Sequence, residues 1–213
     1  MKTDELIDLL ASGEEPVDRH ALLRRMGIAL LGGGLAALLL TMTLYGVRAD
    51  IAEVARTPLF WAKVALPGSL ALLAIWLNRR LSRPGVKGGA VWALLGLPLL
   101  LVWLGAVLSL AGAGPEARAD LIFGRTWRTC AFNIALLSLP VFTAVFWALR
   151  GLAPTRLRQA GAAGGLLAGA TATLAYCLHC PEMGVPFWGI WYLLGMLVPT
   201  LVGAALGPRL LRW

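Results

Sequence analysis

Residues 91–110, VWALLGLPLLLVWLGAVLSL, run the length of a bilayer core without one charged side chain. About 20 apolar residues in helical form are needed to cross the hydrocarbon layer. A helix is also the conformation in which such a segment meets its own backbone hydrogen-bonding needs in lipid. A soluble fold would have to hide this block, and the chain holds five more like it, at 27–45, 59–77, 130–149, 161–178 and 187–206. The reading is therefore an all-α integral membrane bundle of six transmembrane helices, spanning residues 27–213. Residues 1–26 precede it as a short cytoplasmic segment.

The composition agrees. Hydrophobic residues make up 59% and charged residues 14%, against roughly 45–50% and 25% in soluble domains. The net charge of +8 does not point to nucleic acid. The Lys and Arg residues flank the apolar blocks, where they act as topology signals and interface anchors. Only Lys63 falls within a block, near its start, where it can snorkel to the headgroups. Thirteen basic residues fall on the side of the termini and six on the other. The positive-inside rule then puts both termini in the cytoplasm. Beyond the N-terminal segment, Asp50, Glu53, Glu116, Asp120 and Glu182 all fall in outer loops.

Within the blocks, Gly161, Gly165 and Gly169 recur every four residues, followed by Thr173. That is a small-residue face for close helix approach. It suits packing inside the bundle, and the alternative is a homodimer interface. Gly203 and Gly207 repeat the spacing. Pro67, Pro98, Pro140 and Pro199 fall near the middle of four blocks, where each removes a backbone donor. The blocks hold no Asp, Glu, His or Arg, the groups that ion-coupled transport relies on. A nucleophile–base pair is missing from them as well, since His20 and His179 both lie outside.

The N-terminal segment is acidic. Residues 1–18 carry Asp4, Glu5, Asp8, Glu14, Glu15 and Asp18 against Lys2. Thr3 can cap a short helix with Asp4 and Glu5 in its first turn. Leu6, Leu9 and Leu10 then form one apolar face, with Ile7 at its edge. Gly13 can stop the helix, Pro16 breaks the path, and Asp18 can cap a second helix leading into the membrane. A helix this short is marginal alone. An acidic helix with a leucine face suits a groove on a basic protein, and the alternative is a solvated tail.

Three cysteines are too few for a disulfide framework. On the six-span map, Cys130 opens the fourth block on its outer side. Cys177 and Cys180 bracket the outer end of the fifth. All three thiols are expected to face one aqueous compartment. Cys177-Leu178-His179-Cys180 offers two sulfurs and an imidazole to a soft metal and also has dithiol spacing. Cys130 could add a third thiolate if the fourth and fifth helices are neighbours. The other reading is that the cysteines are ordinary small core residues.

Several stretches carry a resemblance. They are Met1-Lys2-Thr3-Asp4-Glu5-Leu6-Ile7, Trp127-Arg128-Thr129-Cys130 and His179-Cys180-Pro181-Glu182, then Pro186-Phe187, Trp191-Tyr192 and the closing Arg212-Trp213. Together they resemble the NrsF-type anti-sigma factors over essentially the whole chain. The resemblance implies an inner-membrane protein that sequesters an extracytoplasmic-function sigma factor, with no catalysis, no constitutive cofactor and no direct contact with nucleic acid. It makes Asp4, Glu5, Leu6, Asp8, Leu9 and Leu10 the expected sigma-binding residues. It matches two outward cysteines to Cys130 and Cys180, a sensor for oxidants or a transiently bound soft metal ion in a stress response. His179 and Cys177 are possible auxiliaries. Two other classes fit the thiols: a membrane thiol–disulfide oxidoreductase and a soft-metal transport protein.

Overall fold

The computed structural model describes residues 3–12, 21–83, 85–152 and 154–212. The fold is all-helical, with no strand among the described residues. Helix α1 covers Thr3–Ser12, and α2 covers Ala21–Leu40 and is extended by one π-helical turn, Thr41–Tyr45. A single short turn, α3 (Ile51–Val54), leads to α4 (Pro58–Leu81). Then come α5 (Ala90–Leu94), α6 (Gly96–Gly112) and α7 (Pro115–Phe123). The long helices α8 (Trp127–Arg150), α9 (Leu157–Tyr176) and α10 (Val185–Leu210) complete the bundle.

Local signals set several of these ends. Thr57 accepts the Phe60 backbone N–H through Oγ1 at 3.4 Å, and Pro58 occupies the first turn of α4. A hydroxyl cap followed by a residue that needs no donor is a favoured start. The block at 91–110 is divided between α5 and α6. Pro98 lacks an N–H and so cannot answer the carbonyl four residues back, and the helix is interrupted at Leu95 alone, whose backbone stays α-helical. In the N-terminal segment, α1 forms where the acidic first turn and leucines favour it. The stop at Gly13, the break at Pro16, the cap at Asp18 and the position of His20 lie outside the described residues.

Five segments are long and apolar enough to cross a membrane: Leu23–Tyr45, Pro58–Leu81, Ala90–Gly112, Pro115–Arg150 and Val185–Leu210. Large apolar side chains line their exteriors, among them Leu31, Leu72, Leu100, Leu108, Phe132 and Leu139. Helix α9 has the length, at 20 residues, but more than half of it is Ala or Gly. It is the centre of the bundle, touching α2, α4, α8 and α10, with most of its residues buried.

The small-residue face of α9 is filled from within the chain. A β-carbon at Gly161 would strike the Gly203 carbonyl, and one at Gly165 the Pro199 carbonyl. In return, a β-carbon at Gly203 would strike the carbonyl of Gly161, and one at Gly207 that of Leu157. The homodimer reading of the Gly161, Gly165 and Gly169 face is thereby corrected. Helix α10 lies backbone to backbone against that face and leaves no room for a second copy.

Candidate functional site

Loop 177–184, between α9 and α10, is held from four sides. From α4, Lys63 donates through Nζ to the carbonyls of Cys180 and Glu182, each at 2.8 Å. The ammonium also lies 5.5 Å from the Tyr192 ring centroid. From beyond the π-helical turn, the Arg48 backbone N–H donates to the Leu178 carbonyl at 3.0 Å. Its Nη1 donates to the Cys180 carbonyl at 3.1 Å. The same guanidinium grips both carboxylate oxygens of Asp50 at 2.7 Å and thereby holds that carboxyl below its ordinary range. Two residues further back, the Gly46 carbonyl lies 3.0 Å from His179 Nδ1.

The start of α8 supplies the third grip. Glu182 Oε1 accepts the backbone N–H groups of Arg125 at 2.7 Å and Thr126 at 3.2 Å, and the Thr126 hydroxyl at 3.3 Å. The carboxylate thus serves orphan donors near a helix N-terminus, where negative charge is favoured. Gly124 makes room for it. Its φ is +53°, and a β-carbon there would collide with the Glu182 carboxylate. From α10, the Trp188 indole donates to the Met183 carbonyl at 3.3 Å.

The thiols sit beneath this cover. Cys130, in the first turn of α8, and Cys180, in the loop, are direct neighbours. Both are free cysteines with no exposed surface. The Cys180 thiol is drawn below its ordinary range by its hydrogen bond with Cys130, with the Lys63 charge acting in the same direction. Asn133 donates to the Tyr176 hydroxyl at 3.3 Å beside the pair. Cys177 is buried next to Tyr192, which also neighbours Cys180. Among the described residues no three His, Cys, Asp or Glu side chains converge as a metal site. Two neighbouring thiols can bind a soft ion as thiolates on losing their protons, or close a disulfide when a two-electron oxidant accepts their electrons.

Two expectations need correction. The thiols do not face open water, because all three are buried. Lys63 does not snorkel, since it is fully buried and two inward carbonyls answer its ammonium. Glu182 holds the backbone N–H groups of Arg125 and Thr126, and the Arg128 guanidinium lies over the Trp127 ring at 5.2 Å. The His179 ring meets the Gly46 carbonyl and the Tyr45 and Tyr176 rings. Sequence reading missed Lys63 and Arg48 as site residues. The available signal for Lys63 was a lone charge within an apolar block.

The other candidate site lies on α1. Asp4, Glu5, Leu6 and Asp8 are exposed there, as is Ile7. Leu9 and Leu10 belong to the same helix, but their side chains lie outside the described set.

Comparison with known proteins covers the whole chain. The family described as negative regulator of sigma F matches residues 10–213. A probable anti-sigma-F factor NrsF from Azospira oryzae is 48% identical over 213 residues, all of both chains. The anti-sigma-F factor NrsF of Caulobacter vibrioides is 39% identical over 215 aligned residues, again covering both chains entirely. No solved structure matches.

Proposed function

The chain belongs to the NrsF family of negative regulators of sigma F, and from that premise we propose a membrane sequestration mechanism with a thiol trigger. The protein holds an extracytoplasmic-function sigma factor at the inner membrane and keeps it from RNA polymerase. It releases the sigma factor when a periplasmic oxidant or soft metal ion reaches Cys130 and Cys180. The observation that carries the trigger is the direct pairing of those two thiols from different elements under one loop.

Six crossings with both termini in the cytoplasm complete the reading. Helix α9 supplies the sixth, because it lies antiparallel along α10, with Gly161 beside Gly203 and Gly207 and Gly169 beside Met196. Its modest hydropathy is compatible with a crossing, since protein rather than lipid surrounds it. On the cytoplasmic side, α1 binds the sigma factor. Leu6, Leu9 and Leu10 act as anchors, while Asp4, Glu5 and Asp8 guide the encounter. Buried anchors dominate affinity, whereas rim charges act mainly on association rate and salt dependence.

Regulation of this kind needs no catalysis and no resident cofactor. A metal at the pair is a transient signal, and the remaining partner is the lipid bilayer. The test is sigma-dependent transcription in Cys130→Ser and Cys180→Ser strains, singly and together, with and without cadmium or peroxide. Loss of induction with repression intact is the expected result. Normal induction in the double variant would sink the trigger, and constitutive transcription would assign the thiols to the inhibitory fold instead.

A further inference from the structure

Helices α2 and α8 touch along much of their length, and their arrangement is that of two levers on one pivot. They are in close backbone contact where a β-carbon on Gly33 would lie 2.8 Å from the Val141 α-carbon and 3.2 Å from the Pro140 carbonyl, and that contact is taken as the pivot. At one end both levers are tied to loop 177–184. Helix α8 is tied through Cys130 and the Glu182 contacts at 125–126. Helix α2 is tied through Gly46 and Arg48. At the other end, the Arg25 guanidinium of α2 lies 6.0 Å from the Trp147 ring of α8 and fills the space beside Gly151. Beyond that end of α2 lies the chain that leads to α1.

We infer that Arg48 is the positioning residue that conveys the state of the Cys130–Cys180 pair to α2, turning α2 against α8 about the Gly33 contact. The reasoning is mechanical. Arg48 meets the Cys180 carbonyl, in the same residue as the reactive sulfur, and also the Leu178 carbonyl. A change in the separation of the two sulfurs larger than side-chain rotation absorbs moves that peptide relative to the start of α8. Arg48 passes the movement to the end of α2. A rise of 1.5 Å per residue puts Arg48 and Gly46 about 20 Å from the pivot and Leu23 about 15 Å on the other side. A displacement at the thiol end therefore returns at the far end at comparable size and opposite sense. The π-helical turn Thr41–Tyr45 lies between pivot and loop, and such turns recur at functional sites in helices. The inference rests on the thiol-trigger reading and adds the route by which the trigger reaches α1.

The experiment uses the full chain in lipid nanodiscs. Spin labels on non-natural residues replace the exposed Leu23 and Arg150, leaving the native cysteines alone. Cadmium ion is the probe, and its binding is read separately by the ultraviolet absorption of the cadmium–thiolate bond. In the parent, cadmium is expected to shift the label distance by at least about 1–2 Å, the scale of helix movements in known switches. Arg48→Met is expected to keep the absorption band and lose the shift, and Arg48→Lys to recover part of it. If Arg48→Met does not bind cadmium, Arg48→Lys decides, because it keeps the cation and loses the fork. An undiminished shift in the deciding variant overturns the inference. Failure of the parent to bind cadmium counts against metal sensing alone. A Cys130–Cys180 disulfide formed with diamide then supplies the change. If neither cadmium nor disulfide moves the labels in the parent, Arg48 conveys nothing and the inference is wrong.

Discussion

Lys63 sits fully buried inside an apolar helix, with its ammonium on the carbonyls of Cys180 and Glu182. Removing it takes the ammonium from the Glu182 carbonyl, at about 1–3 kcal/mol, and leaves the Cys180 carbonyl with Arg48 as its remaining side-chain donor. Lys63→Met is therefore expected to lower the melting temperature in detergent. It is also expected to open Cys180 to alkylation, read by mass spectrometry, while the parent reacts slowly because its loop is closed. Equal labelling of both proteins would show that the carbonyl contacts do not hold the loop. Glu182 gives a finer test. An amide oxygen can still accept from the backbone of Arg125 and Thr126, and alanine cannot. Glu182→Gln should thus retain more stability than Glu182→Ala, by about 1 kcal/mol or more, measured by thermal unfolding. Equal losses would mean that the negative charge itself is what matters. On α1, Leu6, Leu9 and Leu10 changed together to Ser should weaken capture of the co-expressed sigma factor by at least about a hundredfold, since each anchor is worth about 2 kcal/mol. Unchanged co-purification would move the binding site elsewhere on the cytoplasmic face.

At the scale of elements, the contact between α9 and α10 is set by glycine. Gly165 faces the Pro199 backbone so closely that no β-carbon fits. Gly165→Leu should force the helices apart and destabilise the protein by about 1–3 kcal/mol or more, seen as a lower midpoint in thermal unfolding. Gly32 is the control. It has open space where a β-carbon would go, and Gly32→Ala in the helix interior should be neutral or stabilising by up to about 1 kcal/mol. Similar losses at both positions would show that the α9–α10 contact is not what the Gly165 change disturbs. The four-residue spacing was legible in the sequence, as was its meaning as a close-approach face. Its partner was not, because a small-residue stripe fits any helix that comes near enough. The break between α5 and α6 was half legible. Pro98 announced a disturbance, but whether a proline kinks a helix or ends it depends on what packs around the freed carbonyl.

For the whole molecule, topology is the decisive quantity. Five helices are apolar enough to cross on their own, and α9 relies on its neighbours for cover. If α9 crosses as it lies beside α10, the termini share one compartment. Reporter fusions at residue 1 and residue 213 should then both read cytoplasmic. Opposite readings would mean an odd number of crossings and would remove α9 from the membrane. The basic residues at 79–87, 150–158 and 209–212 give an independent check. Moving that charge to loop 177–184 should disturb insertion, since loop charge sets orientation.

The sequence by itself determined the membrane class, the helical content, the near positions of the helices and the separate acidic N-terminal helix. Each of these is a property of composition and period along the chain, and lipid leaves an apolar segment little choice beyond a helix. It also brought Cys130 and Cys180 into one argument, through short motifs that read as a family resemblance. Only the tertiary structure decided what surrounds them. Lys63 is 117 residues from the carbonyl it holds, Arg48 is 132 residues from the same one, and Glu182 is 57 from Arg125. No local pattern encodes such pairings. A long flexible side chain near a helix end has the same sequence signature whether it reaches out to headgroups or in to a buried carbonyl. The packing of α4, α8, α9 and α10 around loop 177–184 settled the direction, because a buried carbonyl without a donor is costly enough to draw the nearest cation inward.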